Sequence, residues 1–260
     1  MIIIIFLIAL FASVIGAICG IGGGVIIKPV LDLFGVASVS TISFLSGCTV
    51  LSMTFYSVCR NTISRADGIE FSTGTPLAVG AALGGIVGNL VFSLVRGNLG
   101  NGVAGAAQSF FLMLLTLGTL IYSKKKAGIQ TYAVKNPLVC LVIGTLLGLL
   151  SSFLGIGGGP FNLVFLHYFF SMDTKKAALN SLYIIMFSQI TNLAVTLLSR
   201  SIPVFDPVVL VLMIAGGILG GILGRQINKK IESNTVDRLF IGLLLVIICI
   251  CIYNTVRYLR

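Results

Sequence analysis

The run Gly20-Ile21-Gly22-Gly23-Gly24 returns letter for letter as Gly155-Ile156-Gly157-Gly158-Gly159, 135 residues later in a chain of 260. A second echo, Leu83-Gly84-Gly85-Ile86-Val87-Gly88 against Leu219-Gly220-Gly221-Ile222-Leu223-Gly224, is displaced by 136. Two echoes at nearly one offset, close to half the length, mark a duplicated unit. Each pentapeptide interrupts an apolar stretch where a helix would otherwise continue, and glycine is a poor helix former. Two halves that each break their backbone inside a hydrophobic segment match the build of a membrane transporter.

Composition decides the solvent. Hydrophobic residues make up 57% of the chain and charged residues 9%, too much apolar surface for a water-soluble domain of this length. The 31 glycines fit the same class, because small residues let membrane helices approach closely. The net charge of +10 comes from basic residues scattered over connecting loops, a pattern of topology signals rather than of nucleic-acid binding. Six cysteines show no metal-ligand spacing and read as small buried hydrophobes; Cys249 and Cys251, two apart, belong to different sides of a helix. The apolar N-terminus has no basic region before it, which favours an uncleaved first span over a signal peptide.

The apolar pattern predicts an all-α integral membrane protein of two repeats, 1–122 and 137–260, joined by a basic cytoplasmic linker at 123–136. Each repeat offers four spans long enough for a bilayer, about eight in all, plus a short helix after its glycine break. If each break returns the chain to its starting side, the loops near 60–73, 123–136, 173–178 and 225–238 share one face. That face then holds twelve of the seventeen lysines and arginines, Arg65 among them, and the other face holds five, including Arg260. Simple alternation of eight spans divides them nine to eight, with no signal. The bias favours inverted-topology repeats with both termini outside the cytoplasm.

A Gly-Ile-Gly-Gly-Gly run gives up helical hydrogen bonds and exposes peptide groups with no side chain in the way. The helix that starts after it presents free N–H groups and partial positive charge. Two such tips converging near the midplane make an anion site of backbone, with Gly22, Gly23, Gly24, Gly157, Gly158 and Gly159 as its donors. The plainer alternative is that the glycines serve helix packing alone. Pro160 suits a first helical position, and Asn162 stands where it can turn its amide to an oxyanion; the first copy has Val25 and Ile27 there. Pro29 is expected to bend or end its short helix.

Polar residues inside a membrane are costly and face an interior. Asn180, Ser181, Ser188, Gln189 and Asn192 share one predicted helix; Ser43, Ser46, Thr49, Thr54 and Ser57 occupy the matching one. Among them, Asn180, Ser181 and Gln189 are the side-chain candidates for ligand contact, with interhelical hydrogen bonding as the alternative. Lys28 and Asp32, four apart, can pair on one helix face. His167 takes the place of Asp32 in the second repeat and suits a proton relay or an interfacial position. These three are candidates for coupling or gating.

The glycine break followed by a short proline-containing segment, given twice as Gly20 to Pro29 and Gly155 to Pro160, resembles the sulfite exporter TauE/SafE family, also called the toluene sulfonate uptake permeases. Met172 to Ala177 looks like the family's turn before its next helix, and Leu179-Asn180-Ser181-Leu182 stands where members often have Gly-Thr-Ser. The resemblance implies a multi-pass transporter of the cell inner membrane for sulfur-containing anions such as sulfite, organosulfonates or sulfoacetate. The reading built on it is a secondary transporter, an exporter, that works by alternating access around the two glycine breaks. Its implied partners are that substrate and the lipid bilayer, with a homodimer left open and no nucleic acid, metal or cofactor. An anion channel and a non-transporting scaffold subunit are the rivals. An enzyme is disfavoured, because the chain offers no metal cluster, nucleophile–base pair or paired carboxylates.

Overall fold

The computed structural model describes residues 2–63 and 68–259; Arg65 and Arg260 of the charge argument lie outside them. The described residues form α1 (Ile2–Cys19), α2 (Gly24–Phe34), α3 (Val39–Ile63), α4 (Phe71–Lys125), α5 (Pro137–Phe153), α6 (Pro160–Phe170), α7 (Thr174–Leu198), α8 (Pro207–Lys230) and α9 (Ser233–Leu259). There is no strand among them. The helix starts follow local chemistry. Asn136 and Asp206 accept hydrogen bonds from Leu138 N and Val208 N, each with proline as the first helical residue, and Asp173 caps α7 through Lys176 N.

Among the described residues six helices are long and apolar enough to cross a membrane. The expected eight differ from these at two places. α5 has only 17 residues, and α4 runs through 55 residues as one helix. A straight helix of that length would measure about 80 Å, far beyond a hydrocarbon core of about 30 Å. Gly100, with φ 80° and ψ 172°, interrupts it and yields two arms, 71–99 and 101–125. Pro29 does not end α2, which continues to Phe34 and stops at the left-handed Gly35. The linker is shorter than its basic composition suggests. α4 extends to Lys125, a 3-10 turn follows, and the extended chain then donates from Tyr132 N and Val134 N to the carbonyls of Tyr168 and Phe169.

The second glycine echo turns out to be the seam between halves. Gly80, Gly84 and Gly88 of α4 lie against the carbonyls of Leu141, Thr145 and Leu149 of α5. At the corresponding positions of α8, Gly216, Gly220 and Gly224 lie against Phe6, Leu10 and Val14 of α1. The first helix of each half therefore packs backbone to backbone on the fourth segment of the other. Dispersion and Cα–H···O contacts replace the hydrophobic effect that lipid cannot supply. Outward faces are apolar instead of polar: Phe11, Leu94, Leu138, Val142, Val211 and Val246 are all exposed, as a chain solvated by lipid requires.

α3 and α7 fill the centre, packed on each other and on the long helices. They run antiparallel: the start of α3 shares a cavity with the end of α7, and the end of α3 shares another with the start of α7.

Candidate functional site

The two glycine breaks abut. A Cβ built at Gly24 would fall on the Ile156 carbonyl oxygen of the other break, and one built at Gly158 would meet Ile21 O at 3.3 Å. Gly22 and Gly157 both have φ near +72°, a left-handed conformation that glycine tolerates and a β-branched residue does not. The chain turns at these points, and the N–H groups of Gly22, Gly23, Gly24 and Val25 find no acceptor among the described residues. In the second break the same holds for Gly157, Gly158, Gly159 and Phe161. Val50 of α3 and Ile185 of α7, equivalent positions 135 apart, press their side chains against Gly22 and separate the breaks from the helices behind.

Three elements aim polar side chains at this junction. Gln189 of α7 is fully buried between Gly47 and Gly157, and neither atom of its amide has a hydrogen-bond partner. Asn162 of α6 donates from Nδ2 to Ser181 Oγ at 3.4 Å, while its Oδ1 is left unpartnered. Ser46 of α3, the repeat equivalent of Ser181, lies against Gly24 with its hydroxyl unpaired. Unsatisfied buried polar atoms are rare in folded proteins and each calls for a cause.

The remaining candidates make other contacts, and of them Lys28 comes near a break, at Gly155. Asn180 spends its amide on structure: Nδ2 donates to Gly68 O and Lys176 O, and Oδ1 accepts from Glu70 N, so it ties the start of α4 to α7. Lys28 and Asp32 do pair, at 3.1 Å, and both are almost wholly buried. His167 faces away from the breaks, its Nδ1 2.8 Å from the Tyr122 hydroxyl, beside the ion pair of Lys126 and Asp237. Among the described residues no group of three or more acidic, histidine or cysteine side chains offers a metal site.

Two cavities lead toward the breaks from opposite ends of α3 and α7. The larger, about 580 Å³, reaches Ala17 and Ala178, which backs Gly20. Its mouth carries Lys175, Lys176, Arg225 and Lys229 against Glu70 and Asp173. The smaller, about 50 Å³, ends at Ser43, Ser152 and Gly155. Most residues that line one have their repeat equivalent in the lining of the other. Ser57 of the first corresponds to Asn192 of the second, Asn61 to Thr196, Arg225 to Asn89 and Lys229 to Ser93. What narrows the second is a hydrogen bond across it, Asn89 Nδ2 to Asn192 Oδ1 at 2.5 Å, with Thr196 Oγ1 at 3.5 Å from the same nitrogen.

The family model described as Sulfite exporter TauE/SafE matches residues 5–250. The chain belongs to that family. A relative from Bacillus subtilis (strain 168), named as the probable membrane transporter protein YunE, is 24% identical, and the match covers 97% of each chain. No solved structure matches. This TauE/SafE chain is therefore a multi-pass membrane transporter.

Sequence reasoning about this TauE/SafE protein missed residues that line the two cavities. Arg225, Asn228 and Lys229 read as topology charges or polar loop residues, because nothing local says that the end of α8 turns toward α3 and α7. Asn89 and Ser152 lie in glycine- and leucine-rich stretches that read as plain spans. Their signal was the 135–136 offset itself, which pairs Asn89 with Arg225 and Ser152 with Ala17.

Proposed function

We propose that the protein carries a small sulfur oxyanion or organosulfonate across the cell inner membrane, in the export direction, by alternating access around the two glycine breaks. The reading treats the halves as inverted-topology repeats with the basic face in the cytoplasm and both termini outside. Two short helices start at the breaks, so their partial positive ends and free N–H groups favour an anion there without a buried arginine. Gly22 to Gly24 and Gly157 to Gly159 supply the backbone donors. Gln189, Asn162, Ser181 and Ser46 add adaptable amides and hydroxyls for the oxygens of the substrate. Asn180 acts from one step back, by fixing the helix that carries Ser181.

The observation that carries the mechanism is the pair of equivalent cavities with unequal volumes, about 580 and 50 Å³, which approach the breaks from opposite ends, the larger stopping at Ala17 and Ala178 beside Gly20 and the smaller at Gly155. A duplicated molecule has two nearly degenerate arrangements, with either cavity wide and its counterpart pinched. Exchange between them moves access from one face to the other while the breaks stay fixed. The cationic mouth of the wide cavity raises the local anion concentration on the cytoplasmic side, which suits export.

The test is a panel of sulfite, thiosulfate, sulfoacetate, sulfate and an aromatic sulfonate, read first as thermal stabilisation of the purified protein and then as counterflow in proteoliposomes. Stabilisation by at least one sulfur anion, with saturable counterflow of the same anion, is expected. No stabilisation and no flux with any of them overturns the proposal.

A further inference from the structure

The inner ends of the two cavities differ in one respect that their shared ancestry does not explain. Gly20 and Gly155 are equivalent, and each is backed by the start of a central helix. At Gly20 the neighbour is Ala178, with Ala17 alongside. At Gly155 the neighbour is Ser43, with Ser152 alongside, and both hydroxyls lack a partner. A Cβ built at Gly155 would stand 2.5 Å from Ser43 Oγ and 3.4 Å from Lys28 Cε, so hydroxyl and lysine stem converge on one point. The residue equivalent to Lys28 in the second half is Leu163.

Lys28 is 3% exposed and paired with Asp32. Burying such a pair costs more than it returns unless the charges serve something else, and α6 shows that the short helix folds with leucine in the lysine position. Its stem lies against Gly155, on which Ser43 also packs and at which the narrow cavity ends, and that place supplies the use. We infer that Lys28, Ser43 and Ser152 form, at the Gly155 turn, an oxyanion subsite next to the junction of the breaks, in which Asp32 holds the ammonium until the anion shares it. The inference rests on the anion-transport reading and adds to it an asymmetry: one cavity ends at two hydroxyls near a lysine stem and the other at two alanines. An anion leaving the breaks on the narrow side pauses at this subsite; on the wide side it meets no equivalent.

The experiment uses the full-length purified protein with sulfite as the probe. Lys28→Leu combined with Asp32→Asn removes both charges together and leaves no orphaned carboxylate. This double variant is expected to fold with near-normal thermal stability and to bind sulfite about tenfold more weakly or worse. Asp32→Asn alone frees the ammonium and is expected to bind sulfite as tightly as the unaltered protein or more tightly. Ser43→Ala copies the residue at the equivalent position, leaves the ion pair intact and is expected to weaken binding severalfold. Unchanged sulfite affinity in both the double variant and Ser43→Ala overturns the subsite and leaves the transport proposal standing. An unaltered protein that binds sulfite and every other anion of the panel equally poorly overturns both.

Discussion

Gln189 is the side chain whose burial has the least structural excuse. It is wholly enclosed, both ends of its amide are idle, and it sits between Gly47 and Gly157 against the second break. An unpartnered buried amide costs about 1–3 kcal/mol. Replacing it by methionine, close in volume and free of hydrogen-bonding demand, should therefore raise or preserve the stability of the ligand-free protein, by about 1 kcal/mol at most. The same change should abolish most of the thermal shift that sulfite produces, since hydrogen bonds to an anion are the stronger kind. Thermal unfolding with and without sulfite checks both halves; a variant that loses stability while keeping its sulfite shift would make Gln189 a packing residue. Which polar residues do this work was only partly legible beforehand. Polar character inside an apolar helix marks Gln189 and Ser181, but it marks Asn180 equally, and Asn180 proves to be occupied by Gly68 and Glu70, more than a hundred residues away. Periodicity reports which face a residue is on and says nothing of what arrives at that face.

Among the elements, the broken helices were readable because glycine states its backbone preference locally. The ends of α1, α2, α5 and α6 follow from the two pentapeptides and from Pro160. The division of α4 was harder to place, because residues 96–102 hold three glycines, Gly97, Gly100 and Gly102, and nothing in their sequence says that Gly100 is the one that leaves the helix. Hardest was the partner of each glycine stripe. Leu-Gly-Gly-Ile announces close packing, but the helix it receives lies in the other half, a matter of topology. The stripe makes a direct prediction. A Cβ at Gly84 would overlap the Thr145 carbonyl, whereas one at Gly118, on the second arm of the same helix, meets nothing within 4 Å. Gly84→Ala should force α4 and α5 apart and cost about 1–3 kcal/mol, as overpacking does. Gly118→Ala should be neutral or slightly stabilising, because alanine is the better helix former. Melting temperatures in one detergent compare the two; equal behaviour would mean that the seam is looser than its geometry.

For the whole molecule the consequential fact is that equivalent residues of the two halves line two cavities of unequal volume. Three residues pinch the narrow one, Asn89, Asn192 and Thr196, and their counterparts at the wide one are Arg225, Ser57 and Asn61. A neutral hydrogen bond contributes about 1 kcal/mol, so losing the Asn89 contact should shift the balance between the two arrangements severalfold, without unfolding anything. Residues 93 and 229 are equivalent and face the two cavities, which makes them a matched pair of reporters. In a background freed of accessible cysteines, Lys229→Cys should react readily with a membrane-impermeant cationic thiol reagent and Ser93→Cys slowly. Adding Asn89→Ala should speed labelling at position 93 and slow it at 229. The opposite signs are what distinguish a carrier from a pore: in a pathway open to both sides at once, loosening one constriction has no reason to close the other. Labelling that rises at 93 and holds steady at 229 would therefore leave the anion site intact while removing alternation from the mechanism.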